Sequence, residues 1–312
     1  MATIRIGNAP CSWGALEFDD LEGDAIGCHQ MLDELAESGY AGTELGDWGF
    51  LPTDPERLHV ELTKRKLELL GAFVPVRLID PAQHQAGRKE VLGIARHLAR
   101  MNELGRYQVP PYLVLADDNG SDPLRRKHAG RVTEDMNMTA AQWGAFARGA
   151  EEIARAVKEQ TGLSTVFHHH CAGYIESPSE IAKLLDRTDP QALGLVFDTG
   201  HFTYGSGKND PATQFEFLDR YADRIWYVHF KDCQPDIADA ARRGGWDYFR
   251  AVREGVFCEL GQGCVDFQGM VNWLRQRDYD HWIVVEQDIL PGMGTPKESA
   301  QRNREYLRSI GT

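Results

Sequence analysis

Three apolar runs in the second half of the chain each end in a side chain able to bind a metal ion. Gly194-Leu195-Val196-Phe197 runs into Asp198-Thr199-Gly200-His201, Ile225-Trp226-Tyr227-Val228 into His229-Phe230-Lys231-Asp232, and Trp282-Ile283-Val284-Val285 into Glu286-Gln287-Asp288. Short apolar runs bounded by polar residues read as buried strands. Parallel strands of one sheet present their carboxyl ends on one face, so Asp198, His229 and Glu286 are expected to converge on one divalent cation. Oxygen and imidazole donors without a thiolate suit Mn²⁺ or Co²⁺, with Mg²⁺ and Zn²⁺ also compatible. Any one of the three alone would read as a helix cap or a satisfied polar residue. Three on successive strand ends favour a metal site.

The triplet His168-His169-His170 ends the apolar stretch that precedes the Asp198 strand. Alternation along an extended chain puts His168 and His170 on one face and His169 on the other. The alternative is a solvated loop tail. With Asp198 on the next strand, His168 reads as a fourth ligand, and His168, His170 and Glu286 read as acid/base groups, since imidazole titrates near neutrality. Lys231 is a further catalytic candidate that would stabilise developing negative charge, against the plainer reading of a solvated surface charge. Glu44, His201 and Trp13 are candidate substrate contacts, each weighed against a cap, a supporting or a core role.

These residues need elements to position them. Strand-like runs at 4–10, 42–46, 69–76, 111–116, 164–168, 195–197, 225–228 and 282–285 alternate with helical periodicity at 24–37, 55–67, 82–104, 139–160, 177–185, 210–221, 267–277 and 297–308. Ser177-Pro178 is spaced as N-cap and first helical residue. Eight alternating strands and helices without a break in composition predict a single (β/α)₈ barrel over 1–312. A doubly wound sheet is the alternative, but the first strand is not followed by its GxGxxG turn. Residues 117–138 lack periodicity and are expected to form a structureless lid over the mouth. Residues 233–265 form an insertion after the seventh strand.

Bulk composition narrows the partners. The 312 residues are 42% hydrophobic and 26% charged, with a formal net charge of −13, which argues against nucleic acid or an anionic membrane as partner. Arg125-Arg126-Lys127 is the one dense basic run. The six cysteines contain no CxxC pair, and residues 1–14 lack the apolar run of a secretory signal, so a reducing cytoplasmic setting is expected. No stretch has the length and apolarity of a membrane span. A homo-oligomer is compatible with the sequence.

Asp198-Thr199-Gly200-His201, His229-Phe230-Lys231-Asp232 and Glu286 resemble the xylose isomerase-like TIM-barrel superfamily of sugar isomerases and epimerases. Within it, residues 39–46, the His168 to His170 triplet and Gly255-Val256-Phe257-Cys258, followed by Gly261-Gln262-Gly263 and Asp266-Phe267, resemble the inosose dehydratases of inositol catabolism. The resemblance covers most of the chain. It implies a small keto-polyol substrate, 2-keto-myo-inositol, that loses water to give a trihydroxycyclohexane-dione, with Co²⁺ or Mn²⁺ dependence and glutathione as a supporting thiol. Epimerases of the superfamily place a glutamate where this chain has His168, so a two-glutamate mechanism is not expected. A ketose epimerase or isomerase, an enzyme that β-eliminates 3-keto glycosides and a non-catalytic polyol-binding barrel are the alternatives on the same scaffold.

Overall fold

The computed structural model describes residues 4–14, 26–289 and 293–312. The barrel strands are β1 (Arg5–Asn8), β2 (Gly42–Thr43), β3 (Glu68–Leu69), β4 (Gly71–Pro75), β5 (Tyr112–Ala116), β6 (Thr165–His168), β7 (Leu193–Asp198), β8 (Ile225–Phe230) and β11 (Trp282–Val285). They form one sheet in the order β3-β2-β1-β11-β8-β7-β6-β5-β4, and neighbouring strands run parallel. The run expected as one strand over 69–76 is divided at Leu70. Its first part pairs with β2 and its second with β5. Leu70 bridges both sides, donating its N–H to Thr43 O at 2.9 Å and accepting from Tyr112 N at 2.9 Å. The two ends of the sheet therefore meet in one stretch of chain, and the eight expected strands close into a barrel.

The helices begin where local sequence places a cap. Thr139 and Gln142 form a capping box at the start of α5 (Ala140–Thr161), and Ser177 and Glu180 form another at α6 (Pro178–Leu185), with Pro178 in the first turn. The remaining outer helices are α1 (Cys28–Glu37), α2 (Pro55–Lys64), α3 (His84–Gly105), α7 (Thr199–Gly205), α8 (Pro211–Arg220), α11 (Phe267–Gln276) and α12 (Pro296–Ser309). The helix expected from Asp24 is seen from Cys28; Asp24 and Ala25 lie outside the described residues.

Strand alternation divides the core into two layers. Val114, Val166, Val196, Tyr227 and Val284 pack with one another inside the barrel. Their chain neighbours Leu113, Phe167, Leu195, Phe197, Val228 and Ile283 pack outward under the helices. A strand buried on both faces needs apolar residues at every position, which is why these segments read as unbroken apolar runs.

Two segments differ from expectation. Residues 117–138 are not structureless: they contain α4 (Pro123–Lys127) and a 3₁₀ turn over Glu134–Met136. Both are too short to produce a visible period. Arg125, from the one dense basic run, is buried. Its guanidinium donates to both Glu180 carboxylate oxygens at 2.8 and 2.9 Å and to Gly173 O at 2.8 Å. The insertion holds β9 (Asp232–Cys233) antiparallel to β10 (Phe257–Cys258), with α9 (Pro235–Gly244) and α10 (Tyr248–Arg253) between them. It has its own apolar cluster, which includes Ala238, Ala251 and Phe257 and takes in Tyr204 of α7. The Asp232 carboxylate accepts backbone N–H groups of Cys233, Gly261, Gly263 and Val265 at 2.8–3.1 Å, tying the base of the insertion to the barrel. No helix among the described residues is long and apolar enough to cross a membrane.

Candidate metal centre and active-site cavity

The interior layer fixes where the chemistry sits. Side chains two residues apart on a strand share a face. Val166, Val196, Tyr227 and Val284 point into the barrel, so His168, Asp198, His229 and Glu286 lie directly above them, at the carboxyl ends of β6, β7 and β8 and just beyond β11. One ligand atom from each of these four lies within 4.8 Å of all the others. The parity also separates the triplet: His169 turns outward against Phe197 and Phe202, and its Nε2 accepts the Asp198 backbone N–H at 3.2 Å.

The donor atoms are arranged for a cation. Asp198 divides its two oxygens. Oδ1 caps α7 by accepting the His201 N–H at 2.7 Å, while Oδ2 is buried without a hydrogen-bond partner, 3.9 Å from His168 Nε2. His229 lies between two carboxylates. Its Nε2 is 2.9 Å from Glu44 Oε1 and its Nδ1 is 3.0 Å from Glu286 Oε1, close enough for an ion pair but not aligned as a hydrogen bond. A carboxylate at this distance from Nε2 fixes the orientation of the imidazole and would leave Nδ1 as the nitrogen able to face a metal. A buried carboxylate oxygen and a ring nitrogen both without aligned partners fit a divalent ion with mixed oxygen and nitrogen ligands.

The electrostatics agree. Burial, then the negative charge of Glu286, pushes the Asp198 carboxyl up to about 7, against Lys231 and His229. Burial alone would lower His229, but Glu286 and Glu44 outweigh it and raise the imidazole to about 10. Burial disfavours the Glu286 carboxylate, yet His229 and then Lys231 hold it well below the usual range. Burial and the neighbouring His229 lower His168. A divalent cation at this point would have to displace the protons these groups hold, because metal ligands must be deprotonated.

A cavity of about 160 Å³ opens beside this group, and Glu44, His168, His170, Lys231, Glu286 and Asp288 are on its wall. Lys231 is a buried cation, not a solvated one. Its Nζ is 3.3 Å from Asp288 Oδ2 and 3.6 Å from Glu286 Oε2. Thr199 pins its backbone, with Oγ1 accepting Lys231 N–H at 3.0 Å and donating to Lys231 O at 2.7 Å. Gly200 permits that approach, since a Cβ there would fall 2.7 Å from Lys231 Cγ and 3.0 Å from its carbonyl oxygen. His170 reaches the wall although β6 ends at His168; its Nδ1 is held by Cys171 O at 2.7 Å.

Two expected substrate contacts lie elsewhere. His201 stands behind His170, ring centroids 3.8 Å apart, and is not on the cavity wall, because its backbone opens α7 under the Asp198 cap. Trp13 is in the core with its indole N–H given to Glu34 at 2.9 Å. Four wall residues with polar side chains carry no reading from the sequence: Cys11, Asp47, Asp288 and Tyr248. Asp288 carried a usable signal, being two residues beyond Glu286. Tyr248 carried none, because the register of the insertion against the barrel is set by tertiary packing.

Residues 32–310 match the xylose isomerase-like TIM barrel family. The chain belongs to that family. Among its relatives, an inosose dehydratase of Geobacillus kaustophilus is 33% identical over 97% of this chain and 94% of its own. Another, from Lacticaseibacillus casei, is 29% identical over 98% and 96%. The crystal structure of the IolI protein with a bound zinc atom superposes with a TM-score of 0.69 at 14% identity over 98% of both chains. At that identity the likeness concerns the fold. The xylose isomerase-like barrel therefore accounts for the closed sheet and for placing the functional groups at the carboxyl ends of its strands.

Proposed function

We propose that this protein is a metal-dependent hydro-lyase that removes water from an uncharged cyclic keto-polyol, with 2-keto-myo-inositol as substrate and a trihydroxycyclohexane-dione as product. The charge of the cavity wall carries this reading. Glu44, Asp47, Glu286 and Asp288 face one lysine, Lys231, and that lysine is already paired. Among the described wall residues there is no other Lys or Arg. Such a wall disfavours phosphate or carboxylate substituents and offers acceptors to hydroxyl groups, which supports a neutral polyol over a sugar phosphate. Full-length similarity to inosose dehydratases supports the same substrate class.

A divalent cation held by His168, Asp198, His229 and Glu286 would supply Lewis acidity toward the ketone oxygen. Lys231, fixed by Glu286, Asp288 and Thr199, donates hydrogen bonds to oxygen that gains negative charge as the neighbouring C–H is broken. His170, with Nδ1–H directed at Cys171 O, presents Nε2 as the proton acceptor. The hydroxyl on the next carbon departs with a proton supplied in exchange for the one His170 takes, so one C–H and one C–O bond break, one C=C bond forms and one water is released. That C=C bears a hydroxyl, and the enol tautomerises to the second carbonyl of the dione. With histidine at 168, the two faces of the substrate do not meet equivalent carboxylates, which favours elimination over epimerisation. Mn²⁺ or Co²⁺ is proposed as the native ion. Residues 117–138 and the insertion over 233–265 are proposed to enclose the substrate, and Arg126 of the first packs 5.8 Å above the Phe249 ring of the second.

Incubating scyllo-inosose in D₂O with metal-loaded protein tests the reading. A dione lighter by one water is expected. Return of an epimer carrying solvent deuterium, with no water lost, would replace the lyase by an epimerase.

A further inference from the structure

The insertion over 233–265 contributes two residues to the cavity wall, Tyr248 and Val252, both from α10. Val252 is apolar, so the phenol of Tyr248 is the polar side-chain group that the insertion brings to the substrate space. Its position is built, not incidental. Asp247 caps the helix immediately before it, accepting Arg250 N–H at 2.8 Å, and Tyr248 packs into the apolar cluster of the insertion with 4% of its surface exposed. The Tyr248 ring meets the His170 ring edge-on at 5.5 Å, and its hydroxyl is 3.5 Å from His170 Nε2. That separation is at the outer limit of a hydrogen bond. Active-site contacts that are long in the absence of substrate commonly tighten in its complex.

We propose that Tyr248 is a specificity-determining residue whose O–H hydrogen-bonds a ring hydroxyl of the polyol beside His170, making the insertion part of the substrate site. The proposal rests on the dehydratase reading for the identity of the polyol. The phenol serves this purpose better than a longer charged side chain, because two torsions place it and no charge is buried with it. Its hydroxyl can donate to one substrate oxygen and accept from another, so it recognises a hydroxyl and not a hydrogen or a methyl at the same ring position.

Tyr248→Phe removes the hydroxyl and leaves the ring packing. KM for scyllo-inosose is expected to rise about three- to tenfold, the worth of one hydrogen bond between neutral groups, with kcat changed by less than about threefold and metal content unchanged. Within a set of monodeoxy inososes, one analogue should lose the same factor against the parent protein and nothing further against Tyr248→Phe. The dissociation constant of myo-inositol, measured by calorimetry on metal-loaded protein, should rise by the same factor in the variant. Unchanged KM and unchanged myo-inositol affinity overturn the proposal while leaving the dehydratase reading intact. A loss confined to kcat also overturns it, since that would make Tyr248 a positioning residue for His170. If the parent protein dehydrates no inosose, the reading of function fails and the calorimetric arm still decides the role of Tyr248. Should Tyr248→Phe not fold, the monodeoxy series on the parent decides: equal KM for every analogue overturns the proposal.

Discussion

Replacing Glu44 by glutamine and by alanine separates orientation of a ligand from ligation itself. Glu44 follows β2 and lies 185 residues from His229, yet its Oε1 is 2.9 Å from His229 Nε2 with both groups buried. In that geometry Nε2–H points at Glu44 and Nδ1 faces the group formed with Asp198 and Glu286. A carboxylate behind a metal-binding imidazole is worth 10- to 100-fold in metal affinity, or about 1.4–2.7 kcal/mol. Glutamine keeps an acceptor of the same shape without the charge, so Glu44→Gln should weaken the metal about tenfold. Glu44→Ala frees the ring to turn and should approach 100-fold. Competition against a chromophoric chelator, followed by metal analysis after dialysis, measures both constants, and far-UV circular dichroism should be unchanged. Parent affinity in Glu44→Ala would refute the orienting role. A loss far beyond 100-fold would refute it from the other side, because Glu44 would then be a direct ligand.

Asp198→Ala and Asp198→Asn should both lose metal retention and activity. Only alanine also removes the α7 cap, for about 1 kcal/mol more in stability by denaturant titration. Arg125→Met leaves Glu180 as an unpaired buried charge and should cost about 3–5 kcal/mol, with limited proteolysis moving to residues 117–138. If that segment is a lid, a substrate analogue should protect the parent from cleavage there, and cleavage indifferent to saturating analogue would exclude that role. Burial raises the Glu176 carboxyl to about 7, against Arg125 and the N–H groups of Gly130 and Ala172. The folded state therefore holds a proton that the unfolded chain releases near 4.5, and stability falls as pH rises from there through about 7, by about 3 kcal/mol at most. Asp117, raised by burial to about 6, acts with the same sign. Denaturant midpoints should drop between about pH 5 and pH 8 and drop less in Glu176→Gln; equal slopes would reject the assignment.

Much of the barrel was legible because its signals are local. The apolar runs ending at Phe197, Val228 and Val285 announce strands buried on both faces, the Ser177-Pro178 cap announces a helix start, and the apolar period over 139–160 announces another helix. The four ligand candidates were legible because strand ends in a parallel barrel share one face, and two-residue alternation then assigns side chains to its mouth. Where the signal was not local, the reading failed. The burial of Arg125 was not legible because the carboxylate that neutralises it, Glu180, is 55 residues away. Residues 117–138 looked structureless because α4 has five residues, little more than one turn.

The amino-acid order alone therefore determined the alternation of strand and helix, the parity that sends His168 inward and His169 outward, and the donor types available at the strand ends. Tertiary structure decided the rest. It divided the strand at Leu70 so that the sheet could close. It set Glu44 against His229 as well as on the cavity wall, and moved His201 behind His170. It also brought Tyr248 from an insertion without periodic pattern onto the cavity wall. Each of these depends on which distant backbone arrives within hydrogen-bond reach, a matter of how the elements pack and not of any spacing within the chain.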